Sequence, residues 1–498
     1  MKKVLLIYPE LGFVGSYVIN VPISLVYVAS KVSEMPDIEI EILDCRIEHN
    51  WKEILLKKIE FEDIFLVGIS VMSGIPVAGA YAISKIVKGV KNIQVVWGGP
   101  YPTVLPEETL KLDVVDFCIR GFGSESFAKL VETLIAGSDN LHSIDGLCFK
   151  KNNELVIGQI NNTFEFMDYK KLPYKLVEPF LEEYFKSNKK RVFPIYTSCG
   201  CPYNCAFCIS PVWYKDNKQK WVPYSATDVV NHIEHLVKNY KVNFIYFYDD
   251  DTFVDVSHFS SIAKEMLKRK LKVEIGVRGI RVNEVKKMSD VDFKLLEEVG
   301  VRYIHIGVES GSQKILNLMK KGITVEQSLE INRMLAKYPR LTPMYNILCG
   351  IPTETIDDLK ETALFMKRLS EENPNCVIFS PGRFIPYPGS KLYDLAIEHG
   401  FKPPSTPAQW SNLDQESRIF MPWYTEDYDN YISMLSMAAY TISNWESYLE
   451  NYSLKIRFIY KVTKSLYKPV ISFRINRQFP GFLLEYHIFN LLKKFIAV

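Results

Sequence analysis

Short apolar runs recur along the first 120 residues, spaced so that one helix fits between each pair. Lys3-Val4-Leu5-Leu6-Ile7-Tyr8-Pro9 is the first, and residues 39–44, 66–70, 93–99 and 117–121 follow. A helical pattern begins at Pro22-Ile23-Ser24-Leu25. Runs of this length separated by helical stretches of about 15 residues predict βαβ units and a parallel sheet. Ligands of such sheets bind beyond the carboxyl ends of the strands. Ser70, Gly98, Gly99, Gly121 and Gly123 fall there, where a small or missing side chain admits a close backbone approach. The rhythm resumes after residue 190, with strand candidates at 191–197, 243–248, 272–277, 302–306, 343–348 and 376–380. Helical stretches such as 228–239 and 259–270 lie between them. Six β/α repeats suit a partial (β/α)6 barrel, whose site lies at the C-terminal strand ends.

Residues 141–190 read as a connector, with a hairpin over 148–156 and a charge-rich segment through Lys189-Lys190-Arg191. Beyond 395, Pro403-Pro404 leads into a mainly helical tail. There Phe482, Tyr486, Phe489, Leu492 and Ile496 recur at helical spacing beside Lys493 and Lys494. The expected architecture is therefore α/β: a Rossmann-like domain over 1–140, the connector, a partial barrel over 191–395 and a helical C-terminal region over 396–498.

Composition changes little in this picture. The 498 residues, 47% hydrophobic and 24% charged, suffice for more than one core. A net charge of +2 gives no ground for a nucleic-acid partner. Nine cysteines and the lack of a secretory pattern at the start predict a reducing, cytoplasmic setting. No apolar run is long enough to predict a membrane span. The basic amphipathic end could touch a membrane or a lipid-like substrate, although docking on the barrel is the expected use.

The candidate chemistry lies in Cys199-Gly200-Cys201-Pro202-Tyr203-Asn204-Cys205-Ala206-Phe207-Cys208. Cys201, Cys205 and Cys208 form a C-x3-C-x2-C loop. Three thiolates can hold three irons of a [4Fe–4S] cube and leave the fourth open to a substrate or cofactor. A structural zinc site would pair two knuckles, and no second knuckle follows. Full ligation of a cluster, with Cys199 as the fourth thiolate, is the other reading.

The loop, with Tyr196-Thr197-Ser198 before it, resembles the radical S-adenosylmethionine (SAM) enzymes. The resemblance implies that the open iron chelates the amino and carboxylate groups of SAM, which an electron splits into methionine and a 5′-deoxyadenosyl radical. It also assigns residues. Phe207 packs near the adenine, and Asp250, in Tyr248-Asp249-Asp250-Asp251-Thr252-Phe253, accepts from the SAM ammonium. Glu309 and Ser310, in Gly307-Val308-Glu309-Ser310-Gly311-Ser312, lie in the ribose- and carboxylate-binding turn. Glu354, in Cys349-Gly350-Ile351-Pro352-Thr353-Glu354-Thr355, stands near the adenine. Arg281, with Arg278, can meet the carboxylate of SAM or of a substrate. Cys199 stands where relatives often carry a non-ligand arginine. Phe384 to Tyr393 resembles the final barrel segment.

Gly68-Ile69-Ser70, Gly98-Gly99-Pro100 and Gly121-Phe122-Gly123, ahead of that loop, resemble the domain of cobalamin-dependent radical SAM enzymes that binds the corrinoid. This resemblance implies cobalamin at Ser70, Gly98, Gly99, Gly121 and Gly123. The chain has no Asp-x-His-x-x-Gly motif, so no histidine stands in the usual place under the cobalt. Phe122 and Ser124 stand where relatives commonly carry acidic residues.

The implied function is that of the class B methyltransferases and anaerobic cyclase-like enzymes. It would be methylation of an unactivated carbon in a natural product, peptide or lipid-like substrate, with flavodoxin or ferredoxin as electron donor. The alternatives are a cyclase or rearrangement catalyst without methyl transfer, and a non-catalytic Fe–S electron-transfer or sensor protein. His232 and His235 read as a solvated helix face, and His305 as a satisfied core residue.

Overall fold

The computed structural model describes residues 2–10, 20–164, 168–188, 190–215, 217, 219–413, 421–449 and 452–479. Its first sheet is built on β1 (Lys2–Tyr8), β2 (Ile38–Asp44), β3 (Ile64–Ser70), β4 (Gln94–Gly98) and β5 (Phe117–Ile119), all parallel. Side chains alternate across a strand, so β1 feeds two cores. Val4 and Leu6 pack with helix α1 (Ile23–Val32) on one face. Leu5 and Ile7 pack with α2 (Ile75–Val90) on the other. Two covered faces are why these strands read as unbroken apolar runs rather than alternating ones.

The expected hairpin forms as β6 (Leu147–Lys151) and β7 (Glu154–Val156), turned by Asn152 and Asn153, both at positive φ. It does not merely connect. It pairs antiparallel with β5, in register Cys118↔Cys148, giving the order β2-β1-β3-β4-β5-β6-β7.

The second sheet runs β8 (Val192–Ile195), β11 (Phe244–Phe247), β12 (Glu274–Arg281), β13 (Val301–Glu309), β14 (Thr342–Cys349) and β15 (Val377–Ile378). All neighbours are parallel and in chain order, β16 (Gly382–Arg383) adds to β14, and β8 and β15 remain edges. Between β8 and β11, a short ladder of β9 (Ser198–Gly200) with β10 (Trp221–Pro223) flanks the cysteine loop. Strand β12 runs past 277, so Arg278 and Arg281 lie in the strand rather than after it. Gly279 (φ +64) breaks its register there, because a Cβ would stand 2.4 Å from the carbonyl of Asp250.

The tail docks on the chain itself. Helix α3 (Glu426–Ile442) buries Tyr428, Tyr431, Ile432 and Leu435 in the core shared with Leu359 and Phe365. Trp445 joins Val192, Phe244, Tyr303 and Met344 at one end of the barrel and donates to the Ile378 carbonyl at 3.1 Å. Trp410 meets Tyr101 edge-on at 5.2 Å, so the tail also reaches the first sheet. The last described helix, α4 (Leu454–Arg477), buries Ile471 and Ile475 and points Leu454, Phe458, Leu466 and Phe473 outward. The stripe expected over 482–496 lies outside the described residues. Among those described, no helix is long and apolar enough to cross a membrane.

Candidate active site

The carboxyl ends of the two sheets meet. Asn20 donates to the Tyr248 hydroxyl at 2.5 Å, and Tyr27 packs edge-on against Tyr196 at 5.6 Å. Arg46, tied to Asp44 at the end of β2, lies 4.0 Å over the Tyr8 ring. Phe122 packs with Phe164, Trp213 and Tyr214 across the same seam.

The three aspartates after β11 have three fates. Asp249 is buried and accepts from the Thr197 and Ser198 amides at 2.6 and 3.1 Å and from the Thr197 hydroxyl. It thereby pins the start of the cysteine loop, and burial outweighs those donors to push it up to about 6. Asp251 is buried beside Glu284, and burial together with that second carboxylate holds it well above the usual range. Asp250 alone of the three keeps solvent access, although protein surrounds it; it accepts from Tyr214 at 2.6 Å. A deep group that still touches solvent lines a cavity.

Within the loop, Cys205 Sγ accepts from Arg281 Nη1 at 2.9 Å, and Cys208 Sγ from the Ser210 amide at 3.4 Å. The Arg281 guanidinium also lies 3.9 Å from the Tyr203 ring and donates to the Lys321 carbonyl. Burial pushes the Cys201 thiol up to about 12, with Asp251, Asp250 and Cys208 adding to it, and raises Cys208, to which Cys205 and Asp250 add. Burial also pushes Cys199 up to about 12, with Asp249 and Asp250 adding to it. Its backbone is held in the ladder opposite Val222. Among the described residues, no three His, Cys, Asp or Glu side chains gather as one metal ion requires. A cube instead needs its thiolates at separate corners, with N–H donors toward sulfur. The loop supplies three thiols, and Arg281 and the Ser210 amide supply two such donors, so the residues fit the cluster.

At the end of β13, Glu309 is buried, adopts φ +63 and pairs with Lys321 at 2.7 Å. A left-handed glutamate is strained, and such strain collects at sites that fix a side chain's direction. Gly307 leaves room for this pair, since a Cβ there would stand 2.3 Å from Glu309 Oε1. Lys321 lies 5.7 Å from the Phe207 ring, which brings the cysteine loop and this turn together.

Other expected residues are engaged differently. The Ser310 hydroxyl is buried within its turn, 3.2 Å from Thr362 Oγ1, and accepts from the Ser312 amide. Glu354 folds back on the Gly350 amide at 2.6 Å and accepts from Tyr428 of α3, leaving Oε1 buried without a partner. Burial pushes it up to about 7. Arg281 is turned toward sulfur rather than toward an open position. His232 is not solvated: it is buried, stacks on Tyr169 and meets the Tyr174 hydroxyl at 2.5 Å. His305 is not satisfied, because its Nε2 is buried without a partner.

At the first sheet, Ser70 and Gly98 are register neighbours, and a Cβ on Gly98 would meet nothing within 4 Å. Gly99 (φ +99) lies against the Val71 backbone. Gly121 (φ +83) is approached by the chain itself, since a Cβ would stand 1.9 Å from the Asn161 carbonyl. Gly123 has ordinary side-chain contacts with Val28 and Ile119. Open space beyond Gly98, at the carboxyl end of β4, fits a bound cobalamin.

The family model of the radical SAM superfamily matches residues 195–366, and that of the B12 binding domain matches 15–131. The chain is a radical SAM protein with a B12-binding domain. Its cofactors are accordingly a [4Fe–4S] cluster, SAM and cobalamin. Over 405 residues it is 28% identical to an uncharacterized methyltransferase of Pyrococcus horikoshii, covering 80% of this chain and 83% of that one. It is 24% identical over 297 residues to the anaerobic magnesium-protoporphyrin IX monomethyl ester cyclase of Rubrivivax gelatinosus, covering 59% of this chain and 52% of that one. Its fold is similar to that of the radical SAM methyltransferase TsrM from Kitasatospora setae, solved with cobalamin and a [4Fe–4S] cluster. The TM-score is 0.64 at 18% identity, covering 80% of this chain and 75% of that one.

Lys321, Tyr214 and Tyr428 escape a sequence reading of this radical SAM chain. Lys321 follows a helix in an undistinguished Lys-Lys pair, and Tyr428 lies 74 residues from the glutamate it meets. Neither carries a local signal.

Proposed function

We propose that this protein is a methyltransferase that acts on an unactivated carbon held between its two sheets. The observation that carries the reading is the juxtaposition of strand ends: the cysteine loop on one side and the open Gly98 corner on the other. In this reading Cys201, Cys205 and Cys208 hold three irons, while Phe207, Asp250 and the Glu309–Lys321 pair surround SAM. Ser70, Gly98, Gly99 and Gly123 border the corrinoid. Together the bound groups supply hydrogen abstraction and a methyl group.

The protein's part is placement. Arg281 offsets thiolate charge at Cys205, and Lys321 and Phe207 keep the Glu309 turn against the loop. Tyr428 holds the Glu354 turn closed. The aromatic seam of Phe122, Phe164, Trp213 and Tyr214 keeps bulk water out. A common cavity is required because the reacting carbon must meet both groups within a few ångströms.

Turnover is expected to release 5′-deoxyadenosine and S-adenosylhomocysteine in about equal amounts, and quantifying both nucleosides tests it. The likeness to the Rubrivivax cyclase, of which the chain spans about half, supports a second reading without methyl transfer. Deoxyadenosine without S-adenosylhomocysteine would select that one. The reductant in either case is a flavodoxin- or ferredoxin-class donor. Helix α4, which carries seven Lys and Arg residues and no Asp or Glu, fits peripheral contact with an anionic membrane through its outward face.

A further inference from the structure

Inside the second sheet stands a cation without a counter-ion. Arg278 belongs to β12, whose neighbours on both sides are strands, yet its side chain is exposed. Its sheet face is that of Tyr246 and Gly276, the face turned away from the covering helices, so the exposure is to the barrel interior. The guanidinium lies 4.4 Å from the Tyr248 ring centroid and 5.1 Å from that of Tyr246. Among the described residues no carboxylate pairs with it.

His305, on β13, completes the chamber. It is nine-tenths buried, stacks on Phe379 at 5.5 Å and meets Tyr246 edge-on at 5.9 Å. Its Nε2 has no hydrogen-bond partner. Burial and the charge of Arg278 keep the ring neutral. Asn346, beside Gly307 in register, is exposed in the middle of β14 and opens to the same interior. Trp445, with Tyr448 packed against it at 5.4 Å, closes the opposite end. A buried ring nitrogen left unpaired costs free energy, and the guanidinium beside it faces the chamber with no counter-ion. A bound anion gives that nitrogen an acceptor and the guanidinium a counter-charge.

We propose that this chamber binds a carboxylate of the substrate. Arg278 grips it as a fork, and His305, in the tautomer protonated at Nε2, donates to it. Tyr246, Tyr248 and Phe379 hold a flat apolar body, which then points toward Asp250 and Glu309 at the strand ends. The substrate class is thus a planar, mostly apolar carboxylic acid. This deepens the methyltransferase reading and takes from it the strand ends as the reacting place.

The test uses the anaerobically reconstituted full chain and a fluorescent pair of probes, 1-naphthylacetate and its uncharged amide. Wild-type protein is expected to bind the acid about tenfold or more tighter than the amide. Arg278→Gln should erase that preference and Arg278→Lys should keep part of it, with iron content and SAM binding unchanged in both. Equal binding of acid and amide by the wild type, no binding of either, or loss of SAM binding in both variants would overturn the proposal. If Arg278→Gln holds no iron, the Lys variant decides alone: a reduced preference counts for the fork, and an unchanged preference counts against it. Carboxylate preference in a protein without SAM cleavage would sink the enzymatic reading and leave this site standing. SAM cleavage without the preference would do the reverse.

Discussion

Cys199 and Cys201 are two residues apart and have different surroundings. Asp250 acts on Cys199, Cys201 and Cys208 alike, but Cys201 also feels Cys208 and Cys208 feels Cys205, whereas Cys199 feels Asp249 and is held in the β9–β10 ladder. Replacing Cys201, Cys205 or Cys208 with Ala is therefore expected to abolish iron retention. Cys199→Ala should keep the iron and SAM cleavage. An iron-free Cys199→Ala protein would overturn the three-thiolate set. Glu354 has a different signature. Its folded value of about 7 lies above the ordinary carboxylate value, so the native chain keeps a proton that the unfolded chain has released. Stability from this group is full below the unfolded value and is lost as pH rises toward about 7. Glu354→Gln keeps an acceptor for the Gly350 amide and removes the titration. The stability difference between wild type and variant should then fall by up to ~3 kcal/mol between pH ~4.5 and ~7 in denaturation curves. A difference independent of pH would contradict the assignment.

At the scale of elements, α4 is the part that least resembles a core helix. Its inner side buries Ile471 and Ile475, while Leu454, Phe458, Leu466 and Phe473 are 80%, 68%, 73% and 60% exposed. A symmetric partner copy would bring the same positive charges against it, whereas an anionic lipid surface neutralises them, at roughly 1 kcal/mol per basic residue. The full chain is expected to float with vesicles containing a third phosphatidylglycerol and not with pure phosphatidylcholine. Leu466→Asp with Phe473→Asp should abolish flotation and keep the iron. Flotation unchanged by that double substitution would rule α4 out as the contact. The first sheet carries its own expectation. No Asp-x-His-x-x-Gly motif exists, and Gly98 borders open space at the strand ends. Reconstituted protein should bind cobalamin with no histidine nitrogen on cobalt, as electron paramagnetic resonance of the Co(II) form reports. A nitrogen hyperfine pattern from a protein imidazole, or no retained cobalamin, would contradict this.

Across the whole molecule, what could be read from the chain and what could not divide along range. The strands of both sheets are legible because apolar runs and their spacing are local, and the C-x3-C-x2-C loop is local too. Even the Asn152-Asn153 hairpin follows from neighbouring residues, since both adopt the positive φ that a tight turn needs. What tertiary structure decided is the partner of each functional side chain. Arg281 reaches Cys205 across 76 positions, and Tyr428 reaches Glu354 across 74. Asn161 takes up the freedom of Gly121, and Tyr169 and Tyr174 cover a histidine that helical spacing alone places on a wet face. The hairpin's place on β5 and the facing of the two sheets are of the same kind. Local pattern is written by backbone geometry over a few residues. A hydrogen bond between distant side chains exists only once packing has chosen which surfaces meet, and that choice leaves no periodic trace in the chain.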